Sequence, residues 1–380
     1  MTNFKFLILA FFLFIIFSSA VVYLYLNLNM NKTNATPLFS SKGKAEYGIY
    51  VDPFLNTYDN LRLTPKEVAR LVKSYGFNAV HLVIVNIGDN SSSFSNIIGS
   101  YVEALRSENL SVVLTIYPPT DRVAWETHPE WRQRFLNGES KYDWRVYLAP
   151  TDDGFVAYYL ENVKRLLKTY NFDGIELAEC WYEVDEGPSS PYYADFSSSM
   201  RQKFKEASGI DPLELFNSSN PHYYLRDSQL YEEWVNFRVA VITNFMKNIL
   251  NAAKEVNPNI RTYIMYLSDV GQSYNTRIDH AQDLNAIVKD VRPDYIVIET
   301  AWQDWIKVNL SPSYVKSYAD YYVSKIHDAQ VKVIVQTDVG SVPQMKRGLD
   351  WVKEFTQNAI DNGFDGVVFY EFSIGSFIKQ

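Results

Sequence analysis

Three stretches of the chain repeat one pattern: SYGFNAVHLVIV (Ser74–Val85), TYNFDGIELAE (Thr169–Glu179) and DNGFDGVVFYE (Asp361–Glu371). In each, an amphipathic helix stops at Gly or Asn, the residue types that adopt the left-handed conformation closing a helix. A Phe follows, then a short apolar run. The repeated unit is helix, tight turn, buried strand. The helix before the first copy also carries a start signal, since Thr64-Pro65-Lys66-Glu67 has the spacing of a capping box with Pro at the first helical position.

Short apolar runs at Tyr47–Val51, Ala79–Val85, Val112–Tyr117, Gly174–Ala178, Thr262–Leu267, Tyr295–Ile298, Val331–Val335 and Gly366–Tyr370 read as eight strands. They are continuous rather than alternating, as suits parallel strands covered on both faces. Helical patterns such as Tyr158–Thr169 and Trp351–Asn362 separate them. Eight such units predict an α/β chain folded as a (β/α)₈ barrel over residues 46–380. The stretch from Cys180 to Ile260 is too long for one connection. It predicts an insertion over about residues 180–260 with a helix of its own at Tyr231–Glu255.

Ahead of the barrel, Phe6 to Leu26 carries no charge and is long enough to cross a hydrocarbon core of roughly 30 Å. A cleaved signal peptide would have a shorter apolar region ending at a small-x-small site. Ser18-Ser19-Ala20 offers one, but the apolar run continues through Val21 to Leu26. The expected layout is a cytoplasmic stub over residues 1–5, a membrane helix over 6–26, a polar tether over 27–45 and an outward-facing barrel. Six acceptor patterns for N-glycosylation, at Asn31, Asn34, Asn90, Asn109, Asn217 and Asn309, fit an exported face. The single Cys180 excludes an intrachain disulfide. A net charge of −8 and the lack of a Lys/Arg run interleaved with aromatics argue against a nucleic-acid partner.

In barrels of this kind, chemistry sits at the C-terminal ends of the strands. Here those ends carry Asp52, Asn86, Tyr117, Glu179, Asp269, Glu299, Asp338 and Glu371. A ring of carboxylates suits glycoside hydrolysis, in which one acid protonates the leaving oxygen and a second acts as nucleophile or base. Any single acid at such a place also serves as an ordinary helix cap. Several together, with Trp125, Trp131, Trp181, Tyr182, Trp302 and Trp305 in the neighbouring loops, favour a carbohydrate cleft, although each Trp alone is as well explained by packing. Glu176 lies on the same strand face as Ala178 and is expected to point into the barrel as a positioning group.

The run from Trp131 to Glu183, with HPEW at His128–Trp131, LAPTDDGFVAYYLENVKRLLKTYNFDGIELAE at Leu148–Glu179 and then WYE, resembles the core of the TIM-barrel glycoside hydrolases and related hydrolase-like barrels. The resemblance implies that Glu179, at the end of the fourth strand, is the catalytic acid. Ala178 departs from it, because related barrels carry Asp or Asn there. The DGxDxDxE pattern of chitinases is also broken by Glu176, Ala178 and Cys180. For the second carboxylate, Glu299 ranks first, Asp338 second and Glu371 third. Asp52, Tyr117, Glu176, Trp181, Tyr182, Asp269, Trp302, Trp305 and Glu371 are the expected substrate-contacting set.

Other chemistries lack support in the sequence. The five histidines show neither HxH nor HExxH spacing, so no metal and no cofactor is expected. There is no GxSxG elbow or phosphate loop, and Cys180 adjoins Glu179, whose charge disfavours a thiolate. A Schiff-base lyase would place a lysine at a strand end, where neither Lys307 nor Lys332 falls. The alternative from another class is a catalytically idle barrel that binds glycan or serves as a surface interaction module.

Overall fold

The computed structural model describes residues 37–39, 45–140, 145–182, 187–374 and 376–378. The expected membrane span and most of the tether lie outside these residues, as do Glu183, Asp185 and Glu186 of the long loop. Among the described residues no helix is long and apolar enough to cross a membrane.

Eight parallel strands close into a barrel in chain order. They are β1 (Glu46–Val51), β2 (Ala79–Val83), β3 (Ser111–Ile116), β4 (Gly174–Leu177), β5 (Arg261–Leu267), β6 (Tyr295–Glu299), β7 (Lys332–Asp338) and β8 (Gly366–Tyr370). The outer layer includes α1 (Pro65–Ser74), α2 (Ser92–Ser107), α3 (Asp153–Thr169), α4 (Ser198–Ser208), α5 (Ser228–Val256), α6 (Val315–Asp328) and α7 (Leu349–Asp361). The start signal at Thr64 is a true capping box: its Oγ1 accepts from the Glu67 N–H while its own N–H donates to the Glu67 carboxylate. The expected insertion resolves into two parts. Residues after Trp181 form the added loop with α4, whereas α5 packs against α3 as the barrel's own fourth outer helix.

Strand alternation splits the apolar residues into two cores. Ile49, Leu82, Leu114, Ile175, Ile264, Ile298, Val335 and Phe369 face the helices. Tyr50, Val83, Val113, Tyr263, Met265, Val297, Ile334 and Val368 fill the barrel. The repeated pattern has a structural cause. The residue just before each even strand, Asn78, Asp173, Asp294 or Asp365, accepts a hydrogen bond from the backbone N–H of the preceding strand, at Tyr47, Val112, Thr262 and Val333 respectively, over 2.8 or 2.9 Å. Gly76 and Gly363 adopt the left-handed conformation expected of them. Asn171 does not, because α3 ends instead in extended backbone at Tyr170.

The barrel interior also holds a charged layer. His81 lies between two carboxylates, with Nδ1 2.7 Å from Glu176 and Nε2 3.1 Å from Glu46. Glu176 further accepts from Tyr50 and Thr115, and Glu46 from Tyr263 and Arg261. Although burial alone would lower it, the flanking carboxylates push the His81 pKa up to about 9, so the ring is an imidazolium at neutral pH. Glycine makes room for this layer: a Cβ on Gly48 would lie 3.2 Å from the His81 ring, and one on Gly174 would lie 2.9 Å from Tyr263.

Candidate active site

At the C-terminal end of the barrel a cleft of about 480 Å³ is lined by Glu179, Glu299 and Asp338. Each acid arrives by a different local route. Glu299 ends β6 and continues the inward face of Tyr295 and Val297, while Asp338 ends β7 and continues that of Ile334 and Gln336. Glu179 has the wrong parity, because Ala178 holds the inward place on β4. It reaches the cleft through a left-handed backbone with φ of 49°, a conformation that costs a non-glycine residue roughly 1 kcal/mol or more. Such strain persists only where the surroundings enforce it.

The acids differ in charge environment. Glu179 is ion-paired with Arg145, and opposite charge favours the carboxylate form. Glu299 is pushed well above the usual carboxylate range, first by burial and then by the negative charge of Glu179, with Arg145 opposing. Its Oε2 atom is sealed from solvent and has no hydrogen-bond partner among the described residues. Asp338 is occupied with its own loop: it accepts from the N–H groups of Gly340 and Ser341, at 2.6 and 2.8 Å, and from the Ser341 hydroxyl.

Aromatic residues form the walls. Of the expected contacts, Tyr117, Trp181 and Trp302 line the cleft. Trp181 lies against His280 with ring centroids 5.9 Å apart, and Tyr274 also packs on His280, edge to face, at 5.4 Å. Trp302 remains 37% exposed, an available flat face.

Six expected residues lie elsewhere. Glu176 is inside the barrel in the charged layer, as its strand parity required, and does not reach the cleft. Trp305 is fully buried and donates its indole N–H to Thr300, so it is a packing anchor. Tyr182 is buried beneath the Arg238 guanidinium, 5.0 Å from its ring centroid. Asp269 accepts from Tyr322. Asp52 caps its own turn through the Phe54 N–H. Glu371 has the outward parity of β8 and bonds Ser373 and Tyr58; burial pushes its pKa up to about 8.

Arg145, Tyr274, His280, Gln272 and Gln336 line the cleft without having been expected there. Gln336 was within reach of strand alternation, had β7 been extended past Val335. Arg145, Gln272 and Tyr274 sit on loops, and His280 ends a helix of five residues, Thr276–His280, too short to show a periodicity. For Arg145 the one available signal was the need of a crowded carboxylate ring for a countercharge.

No family model and no curated protein matches the chain. Solved structures do. They include a β-galactosidase from the psychrophilic Marinomonas ef1, 12% identical with a TM-score of 0.60, for which 86% of this chain aligns to 54% of that one. The glycoside hydrolase domain of PgaB (BpsB) from Bordetella bronchiseptica is 11% identical with a TM-score of 0.58, over 87% of this chain and 94% of that one. An endo-1,4-β-mannanase from Rhizomucor miehei is 14% identical with a TM-score of 0.52, over 88% and 87%. The chain spans about half the length of the β-galactosidases it matches. At these identities the likeness establishes the barrel fold.

Proposed function

We propose that the protein is a glycoside hydrolase acting through Glu179 and Glu299, carried on the outer face of a membrane by the Phe6–Leu26 segment. The observation that carries this reading is the contrast between the two acids in one cleft. One is paired with Arg145, and the other is partly buried, has one sealed and unpartnered oxygen, and has its proton affinity raised. Carboxyl groups whose environments drive their proton affinities apart divide acid and base work between them. The glycoside hydrolases among the similar folds and the aromatic walls support a carbohydrate substrate.

The electrostatics favour the reverse of the division expected from the sequence. Glu299 gives its proton to the glycosidic oxygen, the bond from that oxygen to the anomeric carbon breaks, and its electron pair leaves with the alcohol. Glu179, as carboxylate, attacks the anomeric carbon or takes a proton from the water that does so, the two courses available to a carboxylate pair. Asp338 holds the loop beside them. The uncharged Phe6–Leu26 run supports the anchor. Exposure of Asn90, Asn109, Asn217 and Asn309 supports an exported face.

The test is sugar release from a panel of glycans by the parent, Glu179→Gln and Glu299→Gln. Each variant should lose about 10²–10⁴-fold in kcat. Glu299→Gln alone should recover on aryl glycosides whose leaving group needs no proton. Tight glycan binding by a parent that releases nothing would instead identify an idle binding barrel. Alkaline extraction of membranes tests the anchor separately.

A further inference from the structure

The opposite end of the barrel carries a second cleft, of about 830 Å³, lined by Arg261, Lys289, Arg292 and Lys332 with Asp294 as its one acid. Four cations collected in one place stand out on a chain whose net charge is −8. Arg261 is committed to Glu46, and the Asp294 carboxylate is committed to Thr262. The other three cations have no carboxylate within ion-pair distance among the described residues. Lys332 donates to the Tyr295 hydroxyl, and Arg292 uses only its Nε, on the Lys289 carbonyl. Lys289, Arg292 and Lys332 are exposed.

The position of this cleft is informative. Arg261, Tyr295 and Lys332 are the first residues of β5, β6 and β7, at their N-terminal ends. The chain also enters the barrel at this end, through Glu46 at the start of β1. Phe39, a described residue of the tether, stacks on Tyr47 at 4.8 Å. Nineteen residues separate Leu26 from Glu46. Fully extended they reach on the order of 65–70 Å.

We propose that this basic cleft docks on phosphate-bearing headgroups of the membrane to which the chain is tethered, so that the catalytic cleft at the far end of the barrel faces away from the bilayer. The inference rests on the anchor reading above. Lys and Arg beside an anionic leaflet each strengthen attachment by about fivefold, an effect that fades beyond a Debye length. The tether joins the barrel at the end that carries the cleft. Docking would fix the orientation of the barrel on the membrane.

The test uses the full chain reconstituted in nanodiscs of purely zwitterionic lipid or of lipid containing phosphatidylglycerol, and reads amide hydrogen exchange over residues 288–295 and 329–332. Slower exchange in the anionic discs is expected. It should weaken about fivefold in Arg292→Ala and vanish in Lys289→Ala/Arg292→Ala/Lys332→Ala, with sugar release unchanged. Equal exchange in both discs would overturn the proposal. So would equal protection by inorganic phosphate in detergent, which would assign the cleft to a soluble phosphate ligand. Loss of the chain from the discs on alkaline extraction would refute the anchor alone. In that event the exchange of the released chain, mixed with vesicles of the same two compositions, decides the docking by the same criteria.

Discussion

Two groups of charged side chains lie within one barrel, one inside it and one at its rim, and they are built on opposite terms. In the interior layer every carboxylate oxygen of Glu46 and Glu176 accepts a hydrogen bond, and the imidazolium of His81 is shared between them. At the rim, Glu299 keeps an oxygen that nothing described satisfies, and Glu179 sits on strained backbone. A fully satisfied buried network fixes structure, whereas a half-satisfied one is retained only for what it does. The acidic residue type is the same, so the difference lies wholly in the partners.

The sharpest way to break that comparison is to remove one acid from each group and measure stability. Glu176→Ala leaves a buried imidazolium with one partner and strips an acceptor from Tyr50 and Thr115, and should cost about 3–5 kcal/mol in denaturant unfolding. Glu299→Gln should do the reverse. Its carboxyl binds a proton more tightly folded than unfolded, so the native state is penalised as pH rises above the ordinary carboxylate range. The amide should therefore stabilise on the order of 1 kcal/mol at neutral pH and make no difference below about pH 4. If both substitutions destabilised alike, the rim would be one more structural network and the catalytic reading would lose its main support.

The pH dependence of stability offers a gentler probe of the interior layer. His81 has a folded pKa of about 9, above its unfolded value of about 6.5. Its contribution is fully present below about pH 6.5 and is lost as pH rises toward 9. Glu46 behaves oppositely: its pKa is held down by His81 and Arg261 against the effect of burial, so its contribution is lost as pH falls. Unfolding midpoints of the parent should decline between about pH 6.5 and 9, and His81→Gln should remove that decline. A parent profile that is flat over this range would mean that His81 is not charged inside the barrel.

The barrel was legible in the sequence because its cause is local. Continuous apolar runs marked all eight strands, and the repeated turn marked where three of them begin. The reason for the repeat was hidden, because Asp173 and Asp365 hold strands that precede them in sequence by 61 and 32 residues. The site was legible only where alternation reaches it. Glu299 and Asp338 follow from strand parity, but Glu179 enters against parity, and neither Arg145 nor Tyr274 belongs to any periodic pattern. Trp302 and Trp305 show the limit of composition: three residues apart on one short helix, one borders the cleft and the other packs beneath it.

That pair gives the smallest and most local test. Trp305 is fully buried among Tyr314, Tyr318, Trp351 and Phe355, so Trp305→Ala should cost about 3–5 kcal/mol of stability. Trp302 is more than a third exposed and borders the cleft, so Trp302→Ala should lower the unfolding midpoint clearly less than Trp305→Ala does. A lost stacking contact is worth about 0.5–1.5 kcal/mol, which corresponds to a rise of about 2- to 12-fold in KM if the ring binds ground state and transition state equally. A fall in kcat with KM unchanged would instead show that Trp302 acts only once the glycosidic bond begins to break. In that case the sugar moves against the ring during the reaction, and the aromatic wall belongs with Glu299 in the chemistry rather than with substrate capture.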